Sequence, residues 1–572
     1  MKKIIISNFL LFGGCLGVFA QGAIDAYSLS QPDLKGTARF MGMAGAFGAL
    51  GGDLSTLSQN PAGIGVYRSS DIGFTLDLDL QNSSSKAQGL TYNMDQTKFL
   101  LNNIGAVLTL KLPSTSCPNL NFGFTYNKAV SFNRVYGGNF RDLNNSMSNY
   151  IAGIANADNI AESELATTSG YDPYNPGYND YAAPWITILG YDSYLINPDV
   201  DRYNNTKWYG LWQDSMNGNS TTGSGTFLMK ESGAVNEFNI ALGGNISNVV
   251  YWGMNFDIIN LNYSLSSLWG ESLANAAVAG TNNTFVRANA DWNLTNVYNV
   301  SGTGFNYQLG FILKPVQEFR LGFAFHTPTW YNLTENFGGT VNYKFDNSES
   351  GYATTNGGKL GYNSYGLRTP WKIIASAAGV IGNNFIISFD YEWANYGKMH
   401  YSEPSNYGGG YYDDFWPDFY ASAPSAPNTS FLDPTDPYYY ENSDIASYYQ
   451  STNTFRLGME FKPVSALSIR AGYSYVSSPV RSEARNNNMT IYTAGTMPSY
   501  RFDNSTNYIT CGLGYRFQRF YIDLAYVYKH IDSDYHAYTP DPVSEGGYGI
   551  PSPQSKLSLN NSQVVLTAGF RF

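Results

Sequence analysis

Runs of residues that alternate apolar with polar or small, at a period of two, constrain this chain more than any other feature. From residue 71 onward they recur to the last residue. In 520–529, Phe520, Ile522, Leu524, Tyr526 and Tyr528 fall on one face, and Tyr521, Asp523, Ala525, Val527 and Lys529 on the other. The runs 455–462 and 319–326 repeat the pattern, with Arg456, Gly458 and Glu460 or Arg320, Gly322 and His326 on the second face. Period two is the signature of β-strands with unlike faces. A soluble sandwich shows the same period, so the spacing of the runs has to decide.

About fourteen runs can be placed, at 71–81, 103–112, 119–131, 237–246, 249–262, 304–314, 318–327, 371–381, 384–396, 454–462, 466–477, 507–517, 519–531 and 562–572. Their connections alternate short and long. The short ones are 113–118, 247–248, 315–317, 382–383, 463–465 and 518; the long ones are 82–102, 132–236, 263–303, 328–370, 397–453, 478–506 and 532–561. Short turns on one side and long loops on the other describe a transmembrane antiparallel β-barrel, with turns in the periplasm and loops outside. Closure leaves no sheet edge unpaired in lipid. After Ile258 the apolar parity slips to Ile259 and Leu261, which predicts a β-bulge. The chain ends in Phe570-Arg571-Phe572, the aromatic closing strand that exported barrels present to their assembly machinery.

Composition agrees. Charged residues make up 13% and aromatics 16% of the 572 residues, with 58 Gly, so a disordered chain is excluded. Mean hydropathy is −0.27, which excludes a bundle of membrane helices. The net charge is −11, and −13 without Lys2 and Lys3, so nucleic acid is not an expected partner.

Residues 1–20 read as a cleaved signal peptide: Lys2 and Lys3, an apolar stretch from Ile4 to Phe19, and Val18-Phe19-Ala20 before Gln21. Residues 21–70 do not alternate. They carry Gly42, Gly45, Gly48, Gly51 and Gly52 among Ala and Met, without the spacing of a nucleotide fingerprint. Small residues turn tightly and pack closely, which suits a plug inside a barrel spanning 71–572.

The Gly/Ala-rich stretch with Gly51-Gly52-Asp53, then Asn60-Pro61-Ala62-Gly63, then about fourteen strands, resembles the FadL family of outer-membrane transporters for long-chain fatty acids and other hydrophobic compounds. The resemblance implies a hatch that includes Asp53, Asn60, Pro61, Ala62 and Gly63. It also implies passive entry of an apolar ligand from outside and lateral exit through a kinked third strand, where Gly123 is the candidate distortion point. An anionic ligand in an apolar pocket needs a cation. Arg456 and Lys529 are the lumen-facing candidates, with bracing pairs to Glu460, Asp523 or Asp390 as the plainer role.

No catalytic motif is present, no metal site or cofactor is expected, and Cys15, Cys117 and Cys511 form no disulfide framework. Of the histidines, His326 is expected in the lumen and His400, His530 and His536 at or beyond the outer strand ends. The acidic 397–453 loop, with Asp413, Asp414, Asp418, Asp433, Asp436, Glu441 and Asp444, reads as a solvated surface. The competing functions are a non-specific porin, which needs no plug, and a surface receptor or adhesin acting through Tyr-rich loops, haem binding included. A TonB-coupled receptor would need about 22 strands. Expected partners are a hydrophobic small molecule, outer-membrane lipid with lipopolysaccharide, and the barrel-assembly machinery, and the expected state is a monomer.

Overall fold

The computed structural model describes residues 21–572 except 115, 178–181, 201–205, 214–219, 281–284, 347–348, 383, 405–435, 487–488, 490, 494 and 541–549. Residues 1–20, with the signal sequence and Cys15, lie outside the described residues, as do Asp413, Asp414, Asp418 and Asp433.

The alternating runs form barrel strands β1 (Asp71–Ala87), β2 (Leu90–Lys111), β3 (Asn119–Ser131), β4 (Thr222–Ile246), β5 (Val250–Ala279), β6 (Phe285–Val316) and β7 (Phe319–His326). They continue as β8 (Lys372–Ile381), β9 (Phe385–Asn395), β10 (Ser451–Val464), β11 (Leu467–Val476), β12 (Tyr500–Phe517), β13 (Phe520–His536) and β14 (Gln554–Arg571). Each pairs antiparallel with its predecessor, and β14 closes on β1 from Asp71–Arg571 to Lys86–Lys556. The terminal aromatics seal this seam: Phe570 packs on Phe520 at 4.7 Å, and Phe572 donates its N–H to Ser70 O.

The strands run well past the lipid belt, and β6 shows why. Between Phe305 and Leu313 its outward residues Phe305, Tyr307, Leu309, Phe311 and Leu313 are 41–52% exposed, while Asn306 and Gln308 are buried inside. This stretch matches the nine to eleven residues that cross a bilayer. Above it the same parity continues but the chemistry inverts. Trp292, Leu294, Tyr298 and Val300 point inward and are buried, and Asn293, Thr295, Asn299 and Ser301 point outward. β5 inverts at the same level: Ile259, Leu261, Tyr263 and Leu265 face in, Asn260, Asn262, Ser264 and Ser266 face out. Its pairing with β4 and β6 is unbroken there. The bulge expected after Ile258 is therefore absent, and the parity slip marks where the strand leaves lipid for water.

The inversion also corrects two of the long loops. Residues 82–102 are the upper parts of β1 and β2, joined by a two-residue turn at Gln88 and Gly89, both with positive φ. Residues 263–303 are mostly the upper parts of β5 and β6. A polar-outside, apolar-inside strand has the composition of a loop when it is judged by what lipid requires.

The barrel thus has two storeys. The upper, outside the lipid, has an apolar interior filled by returning chain: helices Met147–Ala157, Trp185–Asp192 and Tyr439–Tyr448 join one core with Phe132, Phe140, Trp208, Tyr365, Tyr401 and Tyr449. Burying each such side chain contributes about 1.5–3 kcal/mol. The lower storey, within the lipid, has a polar interior and is filled by the N-terminal segment.

Candidate functional site

Residues 21–70 run down the lumen from top to bottom. Helix α1 (Ala23–Ser30) sits in the aromatic core of the upper storey, where Tyr27 lies 5.2 Å from both Tyr396 and Tyr449. The chain descends through Gln31–Lys35. Helix α2 (Ala38–Met41) and two short 3-10 turns, Leu54–Ser58 and Pro61–Val66, fill the lower storey before β1 begins.

The residues expected to form a hatch, Asp53 and Asn60 to Gly63, are structural joints of this segment. Asp53 caps the first 3-10 turn through Ser55 N at 3.0 Å and accepts from Thr37 Oγ1 at 2.7 Å. Asn60 caps the second turn by accepting from Ala62 N at 3.1 Å, and its Nδ2 donates to Gly48 O at 2.6 Å. Pro61 is the first residue of that turn, where its missing N–H costs nothing. Ala62 packs on Tyr251 and Ile312, and Gly63 O accepts from Gly52 N at 3.1 Å.

The wall is cut to receive this segment. A Cβ on Gly310 would lie 2.0 Å from Asn60 Oδ1, and one on Gly253 would lie 2.1 Å from Pro61 O. On β9, Asp390 Oδ2 accepts from Phe47 N, Gly48 N and Gln59 Nε2 at 2.9–3.0 Å. Gly322 and Gly458 were expected on the second faces of their runs and Asp390 as a bracing carboxylate; their contacts with Gly48, Met43 and Phe47 were not legible, because those partners lie hundreds of residues away. The signal available was the repeated inward glycine.

Both candidate ligand cations are already paired. Arg456 Nη2 meets Glu392 Oε2 at 2.8 Å, and Lys529 Nζ meets Asp33 of the N-terminal segment at 2.8 Å. Neither pairs with Glu460, Asp523 or Asp390. Glu460 instead bridges Arg39 and Arg470, and Asp523 meets Arg470. Lys35, from the same segment as Asp33, meets Asp77 at 2.8 Å and Asp79 at 3.6 Å.

Between the upper core and the hatch lies a cavity of about 180 Å³. Pro32, Asp33 and Lys35 form its roof, Phe40 and Gln59 its floor, and Asn127, Lys128, Gln308, His326, Lys372, Glu392 and Arg456 part of its wall. His326 sits in the lumen with Nε2 2.8 Å from Gln59 O. Among the described residues Lys128 makes one long hydrogen bond, 3.4 Å to Asn236 Oδ1. The cavity meets the wall at one irregular place. The pairing of β2 with β3 ends at Asn103–Asn127, and β3 shifts register against β4 between Lys128 and Val130. Asn127, Lys128, Ala129 and Val130 all line the cavity. Gly123 lies lower, in unbroken pairing with Val107 and Ala241, where a Cβ would lie 2.6 Å from Leu57 Cδ2.

The remaining histidines are dispersed, while Arg134, Glu231, Arg501 and Asp503 form a buried charge cluster higher in the lumen. His400 lies 3.5 Å from Asp436, His530 lies 3.3 Å from Asp532, and His536 stacks on Tyr500 at 4.7 Å. Cys117 and Cys511 are free. No group of His, Cys, Asp and Glu suited to a metal occurs among the described residues.

No curated protein matches the chain. Among solved structures, a Pseudomonas aeruginosa FadL homologue aligns at 13% identity over 95% of this chain and 99% of that one, with a TM-score of 0.49. The P. putida toluene transporter TodX aligns at 12% identity over 94% and 99%, TM-score 0.46, and the Ralstonia pickettii toluene transporter TbuX at 11% over 94% and 99%, TM-score 0.45. The model of the family described as outer membrane protein transport protein (OMPP1/FadL/TodX) matches residues 222–538, more than half of the sequence, so this barrel, with its N-terminal segment in the lumen, belongs to that family of outer-membrane transport proteins for hydrophobic compounds.

Proposed function

We infer that the chain is a passive, hatch-gated transporter that carries long-chain fatty acids or similar amphipathic molecules from the outside to the cavity above the hatch. Release is sideways, through the wall between β2 and β3. The observation that carries this reading is the coincidence of the cavity with the break in the wall: the β3 residues from which β2 parts, Asn127 to Val130, line it. The exit is thus placed where the β2–β3 pairing ends at Asn103–Asn127, beside the β3–β4 register shift at 128–130 and above Gly123. The mixed lining supports an amphipathic ligand. Phe40 and Val130 offer apolar surface, and Lys128 and Lys372 offer cationic charge to a carboxylate.

The filled lumen speaks against an open porin. The upper core and the hatch both lie across it, held by Asp390, Asn60 and Lys529.

The test is uptake of a fatty acid and of a small sugar by cells or vesicles carrying the full chain. Fatty-acid uptake with little sugar flux is expected. Deleting Ala129, which restores regular pairing of β3 with β4 and so straightens β3 where it parts from β2, should suppress fatty-acid uptake while the barrel still assembles. Free sugar passage would establish the porin instead, and unchanged fatty-acid uptake without Ala129 would remove the lateral exit.

A further inference from the structure

The N-terminal segment starts inside the protein. Gln21, the residue before which the Val18-Phe19-Ala20 pattern expects cleavage, is 1% exposed in the upper storey. Its side chain meets the returning chain: Asn363 Nδ2 donates to Gln21 Oε1 at 3.1 Å. Gly22, next to it, is held on both sides. Its carbonyl accepts from Tyr401 OH at 3.0 Å and from Asp25 N and Ala26 N of α1, and its N–H donates to Asp25 Oδ2 at 2.9 Å. A small cavity beside Gly22 is lined by Asn296, Tyr298 and Phe337 among others, and Asp25 is the one charged residue of its described lining.

Cleavage after Ala20 leaves the α-ammonium of Gln21 in this core. A buried charge is costly unless it is paired, and Asp25 Oδ2 already accepts from Gly22 N. The side-chain amide adds a second unmet demand. Gln21 Nε2 is buried without a partner among the described residues, whereas Oε1 has Asn363. Both surplus nitrogen donors belong to one residue, and its own chemistry removes them together. The unprotonated α-amine of an N-terminal glutamine attacks its own Cδ. An N–Cδ bond forms, the Cδ–Nε2 bond breaks, and one α-amine proton leaves with Nε2 as ammonia. The product is a neutral five-membered lactam that keeps one N–H and one side-chain carbonyl.

We propose that the exported chain starts at Gln21 and that this residue is converted to pyroglutamate before α1 seats, so that an uncharged chain end enters the upper core. The conversion needs no oxidant and no second substrate. It rests on cleavage after Ala20 and is independent of the transported ligand.

Mass spectrometry of the amino-terminal peptide of the full chain, purified from outer membranes, tests this. The peptide should start at residue 21 and be lighter by one ammonia than its encoded sequence. Stepwise amino-terminal degradation should be blocked until a pyroglutamyl aminopeptidase is added. A start at another residue, an unmodified Gln21 or a different blocking group would overturn the proposal. Gln21→Asn keeps a side-chain amide but cannot close the five-membered ring, so its amine stays free and charged. Protection of the α1 amides from hydrogen exchange at pH 7 should then fall about tenfold, the scale of one buried polar group left unpaired. Strand content by circular dichroism should stay the same, because the barrel strands begin only at Asp71. The loss of protection should shrink above about pH 8, where an α-amine gives up its proton. Wild-type protection of α1 in a Gln21→Asn chain with a free amine would show that the core accepts the charge, and would overturn the need for an uncharged end.

Discussion

The Asp33 carboxylate and the Lys529 ammonium lie 2.8 Å apart, both largely buried, and tie the N-terminal segment to β13. Tyr508 OH also donates to Asp33, at 3.2 Å, and its ring lies 5.5 Å from the ammonium. Breaking a buried pair from one side leaves a charge without compensation, typically at about 3–5 kcal/mol, whereas neutralising both sides is tolerated. Lys529→Ala should therefore loosen the segment strongly, and Asp33→Asn with Lys529→Gln should recover most of the loss. Protease sensitivity of residues 21–70 in the assembled barrel measures both. If uptake of fatty acid follows that sensitivity in the two variants, Lys529 acts as a brace; if the double variant restores packing but not uptake, Lys529 also meets the ligand.

The two storeys make opposite demands on outward residues. Leu309 faces lipid and Ser301, on the same strand and face, lies above the inversion. Leu309→Arg should cost about 2–4 kcal/mol near the bilayer midplane, and Ser301→Arg about 0–1 kcal/mol. Leu524→Arg and Asp523→Arg probe the same layer from its two sides, since Leu524 is 44% exposed and Asp523 is buried against Arg470. Urea unfolding from vesicles gives the four values, and equal costs for Leu309→Arg and Ser301→Arg would reject the inversion.

This inversion also separates what the residues disclosed from what they hid. The stretch Phe305–Leu313 was readable because lipid imposes apolar side chains on alternate positions, and that requirement is local. The stretch Trp292–Val300 obeys the same period, but its partners are the returning loops, so Asn293 and Thr295 looked like loop residues. The place of the N-terminal segment in the lumen was legible as composition, and Asn60 with Pro61 as a capped turn. The contacts of Asp390 with Phe47 and Gly48, and of Arg456 with Glu392, depend on which strands become neighbours around the ring. A barrel fixes that order only when it closes.

Above the lipid, acid–base behaviour should depend on Asp25 in α1 and Glu271 on β5. Burial pushes each carboxyl up to about 7, against hydrogen bonds from Gly22 N to Asp25 and from Met147 N to Glu271. A raised carboxyl binds its proton more tightly in the folded state. Its contribution is complete below the unfolded value near 4 and is lost as pH rises from there through about 7. Stability of the upper storey should fall across that window, by up to about 4 kcal/mol for Asp25 at 1.36 kcal/mol per pH unit. Asp25→Asn should flatten the profile. Hydrogen exchange of α1 amides at pH 5 and pH 8 reads the effect, and equal protection at both would refute it.

The fit between the wall and the hatch permits a test that leaves the hatch sequence untouched. Gly310 on β6 faces Asn60, and even a methyl group there would stand 2.0 Å from Asn60 Oδ1. Gly310→Ala must push the Asn60–Ala62 turn off the wall and strain its bonds to Gly48 O and Ala62 N. Buried polar groups left unpaired cost about 1–3 kcal/mol each, which is comparable to the few kcal/mol that separate the states of a movable element. The strand pairing of β6 with β5 and β7 involves backbone alone at this position, so the barrel should assemble normally. Asn60→Ala with Pro61→Ala should act in the same direction from the other side of the contact. Deleting 21–62 goes further: it empties the lower storey and removes α1 from the upper core, but leaves the core of Trp185, Trp208, Phe337 and Tyr365 in place. Single-channel conductance and sensitivity to bulky antibiotics should therefore rise in the order wild type, Gly310→Ala, deletion. An intact barrel whose conductance stays low after the deletion would show that the upper core closes the pore by itself, and that the N-terminal segment serves the ligand cavity rather than the seal.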